Sequence, residues 1–370
     1  MKHCLVISDS FKGTLSSPDI CRIARTVDVP GWQIDALPVA DGGEETTACF
    51  LEACGGQRID LPVSGPFGGT IDGFYGLLPD GTAVIECAAA AGLHHAAGHM
   101  DPEIASTYGV GQLMAAALDR GARRLILGLG GSCTNDAGCG AAAALGVRFF
   151  DAAGRTFVPT GGTLKSIANI DLSGRHPALQ SGVLTVMCDI DNPLYGQRGA
   201  AYIFAPQKGA DTACVARLDA GLRHFAAVLR SALGVDIDKL PGGGSAGGFG
   251  AGAAALLNGV LRSGIETVLD TVDFDRRAAS CDLVVTGEGS FDAQSLGGKA
   301  VSGVAAHCKR LGLPTAVLAG RVALTAAQQT PLRLLAVRSI NPAGTSFEDA
   351  KAHAAVYYRA ALAQLLKELR

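Results

Sequence analysis

Aromatic residues make up only 5% of the 370-residue chain, with a single tryptophan, so its interior cannot be built around large rings. Fifty glycines and abundant alanine take their place, the texture of helices that lie close on parallel sheets. Positive charge is not in excess either. A net charge of −3 leaves no basic face for nucleic acid and no polybasic patch for a membrane. No uninterrupted apolar run reaches the ~18 residues of a spanning helix, and the N-terminus meets acid at Asp9, too early for a signal peptide. Of the eleven cysteines, no two form a Cys-x-x-Cys pair, which argues against zinc. Cys4, Cys87, Cys188 and Cys281 sit in or beside apolar runs, where a reduced thiol behaves as a small hydrophobe. Also missing are the Gly-x-x-x-x-Gly-Lys-Ser/Thr loop, the protein-kinase signatures and any Ser-His-Asp or Cys-His arrangement. The expectation is a cytoplasmic protein acting on small molecules, without nucleic-acid or membrane partners. Its oligomeric state has no signature in the sequence.

What is present is a set of apolar runs, each ending in polar residues and glycine. Leu5 to Ile7 leads to Ser8-Asp-Ser-Phe-Lys-Gly13, after which Ser16 and Asp19 cap a helix. Asp9, Ser10 and Lys12 thus stand at a strand's carboxyl end, where open α/β sheets place ligands. Trp32 to Val39 is a second strand and runs into Asp41-Gly-Gly-Glu-Glu45, acids suited to Mg²⁺ or to capping. From about residue 60 the texture changes to short strands parted by Gly-Pro and Asp-Gly turns, an antiparallel signature, and a domain boundary is expected near 63. His95 and His99 have metal-like spacing, but Gly98 between them favours a solvated loop. Leu125 to Asp136 reads as a strand, a glycine turn with two hydroxyls, an amide and a carboxylate, then a helix from Ala137. Unpaired N–H groups and the helix dipole make such a turn an anion cradle, although a plain packing turn has the same composition.

Val147 to Phe150 is expected to continue the sheet. Leu184 to Cys188 is expected to carry Asp189 and Asp191 on one side of a strand end, and Phe204 to Gly209 to close another strand near Lys208. The periodicity predicts a helix from Asp211 to Gly234. Gly242, Gly244 and Gly247 spell Gly-x-Gly-x-x-Gly, but no strand precedes them, so the dinucleotide reading fails. After residue 274 the α/β texture returns with Asp282 to Thr286, then Glu288, Asp292 and Lys299. Ser346 and Asp349 form a capping-box pattern for a last helix reaching Arg370. Collected, these loops hold lysines, carboxylates and glycine turns. Phosphoryl transfer needs positioned cations, carboxylate-held Mg²⁺, backbone donors and one base.

Seven segments, in order along nearly the whole chain, resemble the bacterial glycerate kinase family: Asp9-Ser-Phe-Lys-Gly-Thr-Leu-Ser16, Val39-Ala-Asp-Gly-Gly-Glu44, Ser106-Thr-Tyr-Gly-Val-Gly111, Gly128-Leu-Gly-Gly-Ser-Cys-Thr-Asn-Asp136, Cys188-Asp-Ile-Asp-Asn-Pro-Leu194, Pro206-Gln-Lys-Gly-Ala210, and Gly287-Glu-Gly through Asp292 to Lys299. Glu45 stands where that pattern usually has glycine, Cys133 and Ala137 replace small residues, and Thr14 replaces a serine. The resemblance implies an α/β fold, a Rossmann-like domain (1–62 plus 275–370) split by an inserted α/β domain with a mixed sheet (63–274), with the active site in the cleft between. It implies ATP and Mg²⁺ as cofactors and D-glycerate as substrate, generally giving 2-phosphoglycerate. A glycerate 3-kinase, a kinase of another hydroxy acid and a non-catalytic sensor stay open. In this reading Asp189, Asp191, Lys12, Lys208 and Lys299 are catalytic, with Asp189 or Asp191 as the base. Gly130, Gly131, Ser132, Thr134, Asn135 and Asp136 bind nucleotide phosphate; Asp9, Ser10, Lys12, Glu288 and Asp292 bind substrate; and Asp41, Asp191 and Asp292 hold the metal.

Overall fold

The computed structural model describes residues 1–297 and 299–369. Gly298, beside Lys299, and Arg370, the expected end of the last helix, lie outside the described residues. In chain order the strands are β1 (Lys2–Ser8), β2 (Trp32–Ala36), β3 (Gln57–Ser64), β4 (Thr70–Leu77), β5 (Thr82–Glu86), β6 (Arg124–Gly128) and β7 (Arg148–Phe150). They continue with β8 (Thr156–Phe157), β9 (Asn169–Asp171), β10 (Leu184–Met187), β11 (Val260–Arg262), β12 (Leu283–Phe291), β13 (Thr315–Val322) and β14 (Ala336–Ser339). Two compact units result: a smaller one of residues 1–41, 48–54 and 263 onward, and a larger one of 42–47 and 55–262. The larger unit starts and ends earlier in sequence than the 63–274 segment. Its β3 pairs with β4 from Gln57 onward. Residues 263–274 stay with the smaller unit because the helix Gly264–Thr271 packs on the helix Ala300–Leu311, where a Cβ at Gly303 would lie 2.8 Å from Ile265.

The smaller unit holds one parallel sheet in the order β14-β13-β12-β1-β2. Both faces are buried, which is why its strands read as continuous apolar runs. Cys4, Val6, Leu283 and Val285 face one way, onto Ile20, Trp32, Tyr358 and Leu362; Val317 and Ala319 face the other, with Phe291 and Val301. Strand order reverses between β1 and β12, so the carboxyl ends of those two strands flank the switch point at which such sheets bind ligands. Ser16 caps the helix Ser17–Arg25 through a complete capping box with Asp19. The Ser346–Asp349 pattern delivers only half of its box: Ser346 Oγ accepts from Asp349 N at 3.2 Å, while the Asp349 carboxylate takes the Tyr357 hydroxyl at 2.9 Å.

An ion cluster of one buried imidazole and partly exposed partners fastens the re-entering segment. His307, 8% exposed, lies 2.7 Å from Asp275 Oδ1 and 3.0 Å from Glu266 Oε2, with Arg310 also on Asp275 and Phe274 packed edge-on. Burial alone would lower the imidazole's pKa; the two carboxylates outweigh it and raise it above the usual value. A raised histidine pKa stabilises the fold fully below the unfolded value, and the contribution is lost as pH climbs through the folded one. His307→Gln is therefore expected to cost about 1–3 kcal/mol at pH 6 and clearly less at pH 9, read by urea denaturation at both pH values. An equal cost at both would mean that the imidazole is not charged in the fold.

In the larger unit a six-stranded sheet runs β11-β10-β6-β5-β4-β3, with β11, β10, β6 and β5 parallel and the β3, β4 and β5 neighbours antiparallel, as the turn-rich texture implied. Two expectations fail here. Val147 to Phe150 does not extend this sheet; β7 centres a separate three-stranded antiparallel sheet with β8 and β9. Nor does Phe204 to Gly209 end a strand: Ala200–Phe204 is helical and runs into a 3-10 turn at Pro206–Lys208. Pro206 has no N–H to give a ladder. The long helix Thr212–Leu233 forms as the periodicity predicts, capped by Asp211 and ended by left-handed Gly234.

Candidate active site

At the switch point of the smaller unit, Asp9 N donates to Gly287 O at 2.9 Å, joining the ends of β1 and β12. The Asp9 carboxylate accepts Ser10 N at 2.7 Å. Burial and the Asp41 charge push its pKa up to about 6. Burial likewise raises Glu288, with Asp9 adding to the effect, and Glu288 Oε1 is buried with no hydrogen-bond partner. Lys12 is largely exposed and reaches Asp41 at 3.9 Å. Lys299 is the residue before the helix Ala300–Leu311, and its Nζ donates to Gln294 Oε1 at 3.2 Å. Asp292 caps the short turn Ala293–Leu296, accepting Gln294 N at 2.9 Å and Ser290 Oγ at 3.0 Å. Those bonds hold its pKa low, the Gln294 N–H first. The structure thus brings together Asp9, Asp41, Glu288 and Lys12, all foreseen as site residues.

In the larger unit the glycine turn after β6 is built for backbone contact. Gly130 N donates to Gly42 O at 2.8 Å, and a Cβ on Gly128 or Gly130 would come within 2.5 Å of the Gly42–Gly43 backbone. The helix then begins at Cys139 rather than Ala137. Its N-terminus is not an open anion cradle. Asp136, fully buried, accepts Thr107 N and Oγ1 at 2.8 Å, Gly138 N at 3.0 Å and Gly140 N at 3.2 Å, and Thr107 Oγ1 accepts Ala141 N at 2.9 Å. The protein's own carboxylate occupies the place expected for a phosphate. Cations enter the loop from another element. Lys208, 2% exposed, donates to Ser132 Oγ at 3.1 Å and to Thr134 O at 2.6 Å, and burial lowers its pKa to about 8. The glycine stretch at 241–252 backs this loop: a Cβ on Gly247 would lie 2.1 Å from Thr134 O, and one on Gly252 1.8 Å from Ala137 O.

Asp189 and Asp191 do not lie on a strand. β10 stops at Met187, both are exposed in the loop beyond it, and Asp191 pairs with exposed Arg198 at 3.3 Å. Among the described residues no group of three or more His, Cys, Asp or Glu side chains is placed to hold a metal by itself. Of the three acids expected to hold the metal, Asp41 and Asp292 belong to the smaller unit and Asp191 to the larger. His94 and His95 lie in a 3-10 turn, Leu93–Ala96, with His94 3.6 Å from Glu44; His94 and His99 are exposed and no helix joins His95 to His99, in keeping with a solvated loop. Glu86 went unnoticed in the sequence. It ends β5, is 3% exposed, and accepts Thr47 N at 2.6 Å. Its signal was an acid closing an otherwise apolar run.

A model of the glycerate kinase family matches residues 4–370. The chain belongs to the glycerate kinase family. It is 42% identical to a Bacillus subtilis glycerate kinase over 95% of this chain and 94% of that one. It is 41% identical to an Escherichia coli glycerate 2-kinase over 85% of this chain and 84% of that one. The crystal structure of a putative glycerate kinase 2 from Salmonella typhimurium superposes with a TM-score of 0.87 at 38% identity, covering 100% of this chain and 98% of that one. Glu45, where the resemblance led to an expectation of glycine, has φ +68°. A left-handed non-glycine residue carries strain, partly offset by glycine's greater unfolded entropy, so Glu45→Gly should stabilise by about 0.5–1 kcal/mol. A lowered urea midpoint would show that the Glu45 side chain contributes more than its strain costs.

Proposed function

We propose that this protein is an ATP-dependent glycerate kinase that passes the γ-phosphoryl group to D-glycerate and yields 2-phospho-D-glycerate and ADP. The observation that carries it is Lys208: a buried ammonium with neutral hydrogen-bond partners, in a family whose substrates are anions. Asp9 takes the proton of the attacking hydroxyl, because its raised pKa lies closer to neutrality than an exposed carboxylate's would. Asp189 and Asp191, exposed beyond β10, are less suited to that task than the sequence suggested. Lys12 and Lys299 neutralise phosphate oxygens, and Asp136 holds the glycine turn.

Mg²⁺ suits the oxygen donors of Asp41 and Glu288, the latter with an unpartnered buried oxygen, and these residues would hold it together with phosphate oxygens. When bound it supplies charge neutralisation on the transferring group. The split of a Rossmann-like domain by an insert is part of the same proposal, supported by the 2-1-3-4-5 strand order in the smaller unit. Incubation with ATP, Mg²⁺ and D-glycerate, followed by separation of 2- from 3-phosphoglycerate, tests the reading. Formation of 3-phosphoglycerate would move the attack to the other hydroxyl, and no ADP release would overturn the enzyme assignment.

A further inference from the structure

We infer that Lys208, Thr134 and Asn135 form the group that receives the hydroxy-acid substrate, its carboxylate on the Lys208 ammonium and a hydroxyl on the Asn135 amide, so that Asn135 sets which acid is accepted. This rests on the glycerate kinase reading and names the ligand of that loop. Lys208 has three N–H donors, and Ser132 Oγ and Thr134 O account for two of them. Asn135 is fully enclosed, yet neither its Oδ1 nor its Nδ2 has a hydrogen-bond partner, and neither does Thr134 Oγ1. Buried amides are nearly always bonded, so three orphaned atoms on adjacent residues beside an enclosed cation call for a reason. A loosely held loop is not the reason. Asp136 and the close approach of Gly247 fix the backbone on both sides.

The chemistry of the orphans selects the ligand. An amide presents one acceptor and two donors, and a hydroxyl both gives and takes, so it satisfies both ends. Phosphate oxygens only accept and would leave Asn135 Oδ1 unpaired. A site built to bond a hydroxyl rejects analogues without it, because its own buried groups then stay unpaired.

The test is Asn135→Leu, of similar volume and without polar atoms. Steady-state kinetics with D-glycerate and with D-lactate, which has a methyl in place of the hydroxymethyl group, should show KM for D-glycerate raised at least tenfold. KM for ATP should stay within about twofold, and the preference for D-glycerate over D-lactate should fall at least tenfold. Thermal shift reads binding independently of turnover: D-glycerate alone should raise the wild-type melting temperature and fail to raise that of Asn135→Leu. Thr134→Val gives the same comparison if the leucine variant does not fold. An unchanged preference, or a rise in KM for ATP with that for glycerate constant, would overturn the assignment. Absent turnover by wild type with the thermal shift intact would count against the kinase reading and leave this one supported.

Discussion

Lys208→Met is expected to lower kcat/KM for D-glycerate at least a hundredfold while leaving the folded protein as stable as before, or more so. The two effects share one cause. Lys208 is enclosed at 2% exposure, and its pKa is depressed to about 8 because burial disfavours the charge. The unfolded lysine, near 10.4, binds its proton more tightly than the folded one, so the charged side chain weakens the fold at neutral pH and that cost fades as pH rises through 8 to 10. Methionine fills a similar volume without charge and removes the cost, although Ser132 Oγ and Thr134 O then lose a donor. What methionine cannot do is bond an anion. Loss of one charge-assisted hydrogen bond in an enclosed site is worth about 1.5–3 kcal/mol, and a hundredfold in rate is about 2.7. The wild-type kcat/KM should also decline above about pH 8, as the free enzyme's ammonium deprotonates. A variant that keeps its kcat/KM and loses stability would make Lys208 a structural residue.

The second large effect is at the end of β1. Asp9→Asn is expected to reduce kcat roughly 10²–10⁴-fold, the usual contribution of a general base. In metal-free buffer at pH 7 it should also stabilise the protein on the order of 1 kcal/mol. Burial and the neighbouring Asp41 raise the Asp9 pKa from 3.8 to about 6. Between those values the folded state binds the extra proton, so stability falls as pH rises through that window and stays lower above it. The asparagine variant should therefore match wild type near pH 3 and exceed it at pH 7 in urea denaturation. Kinetics decide the role. If Asp189→Asn carries the larger loss in kcat and Asp9→Asn a small one, the base sits in the loop beyond β10, as the sequence pattern suggested.

The contrast between these carboxylates shows where sequence reading ends. Asp189 and Asp191 looked like a strand pair, because alternation puts residues two apart on one side; β10 stops at Met187, and the alternation has no meaning beyond it. Asp136 looked like a ligand-facing acid at a helix start and instead bonds that helix's own N–H groups and Thr107, a partner 29 residues earlier. Lys208 was legible as a lysine beside a proline turn, but its route was not. It arrives on a 3-10 turn rather than a strand.

By itself the sequence determined the family, the α/β class, most of the apolar strands, the cap at Ser16, the helix between Asp211 and Gly234, and the loops that carry chemistry. All of these are local patterns in residue type and spacing. Tertiary structure decided what each polar group does. Whether a carboxylate is a base, a cap or a surface ion depends on what other segments place around it. The raised pKa of Asp9, the enclosure of Lys208 and the unpartnered amide of Asn135 come from neighbours distant in sequence. Desolvation and hydrogen-bond supply are properties of the packed environment, and spacing along the chain does not encode them.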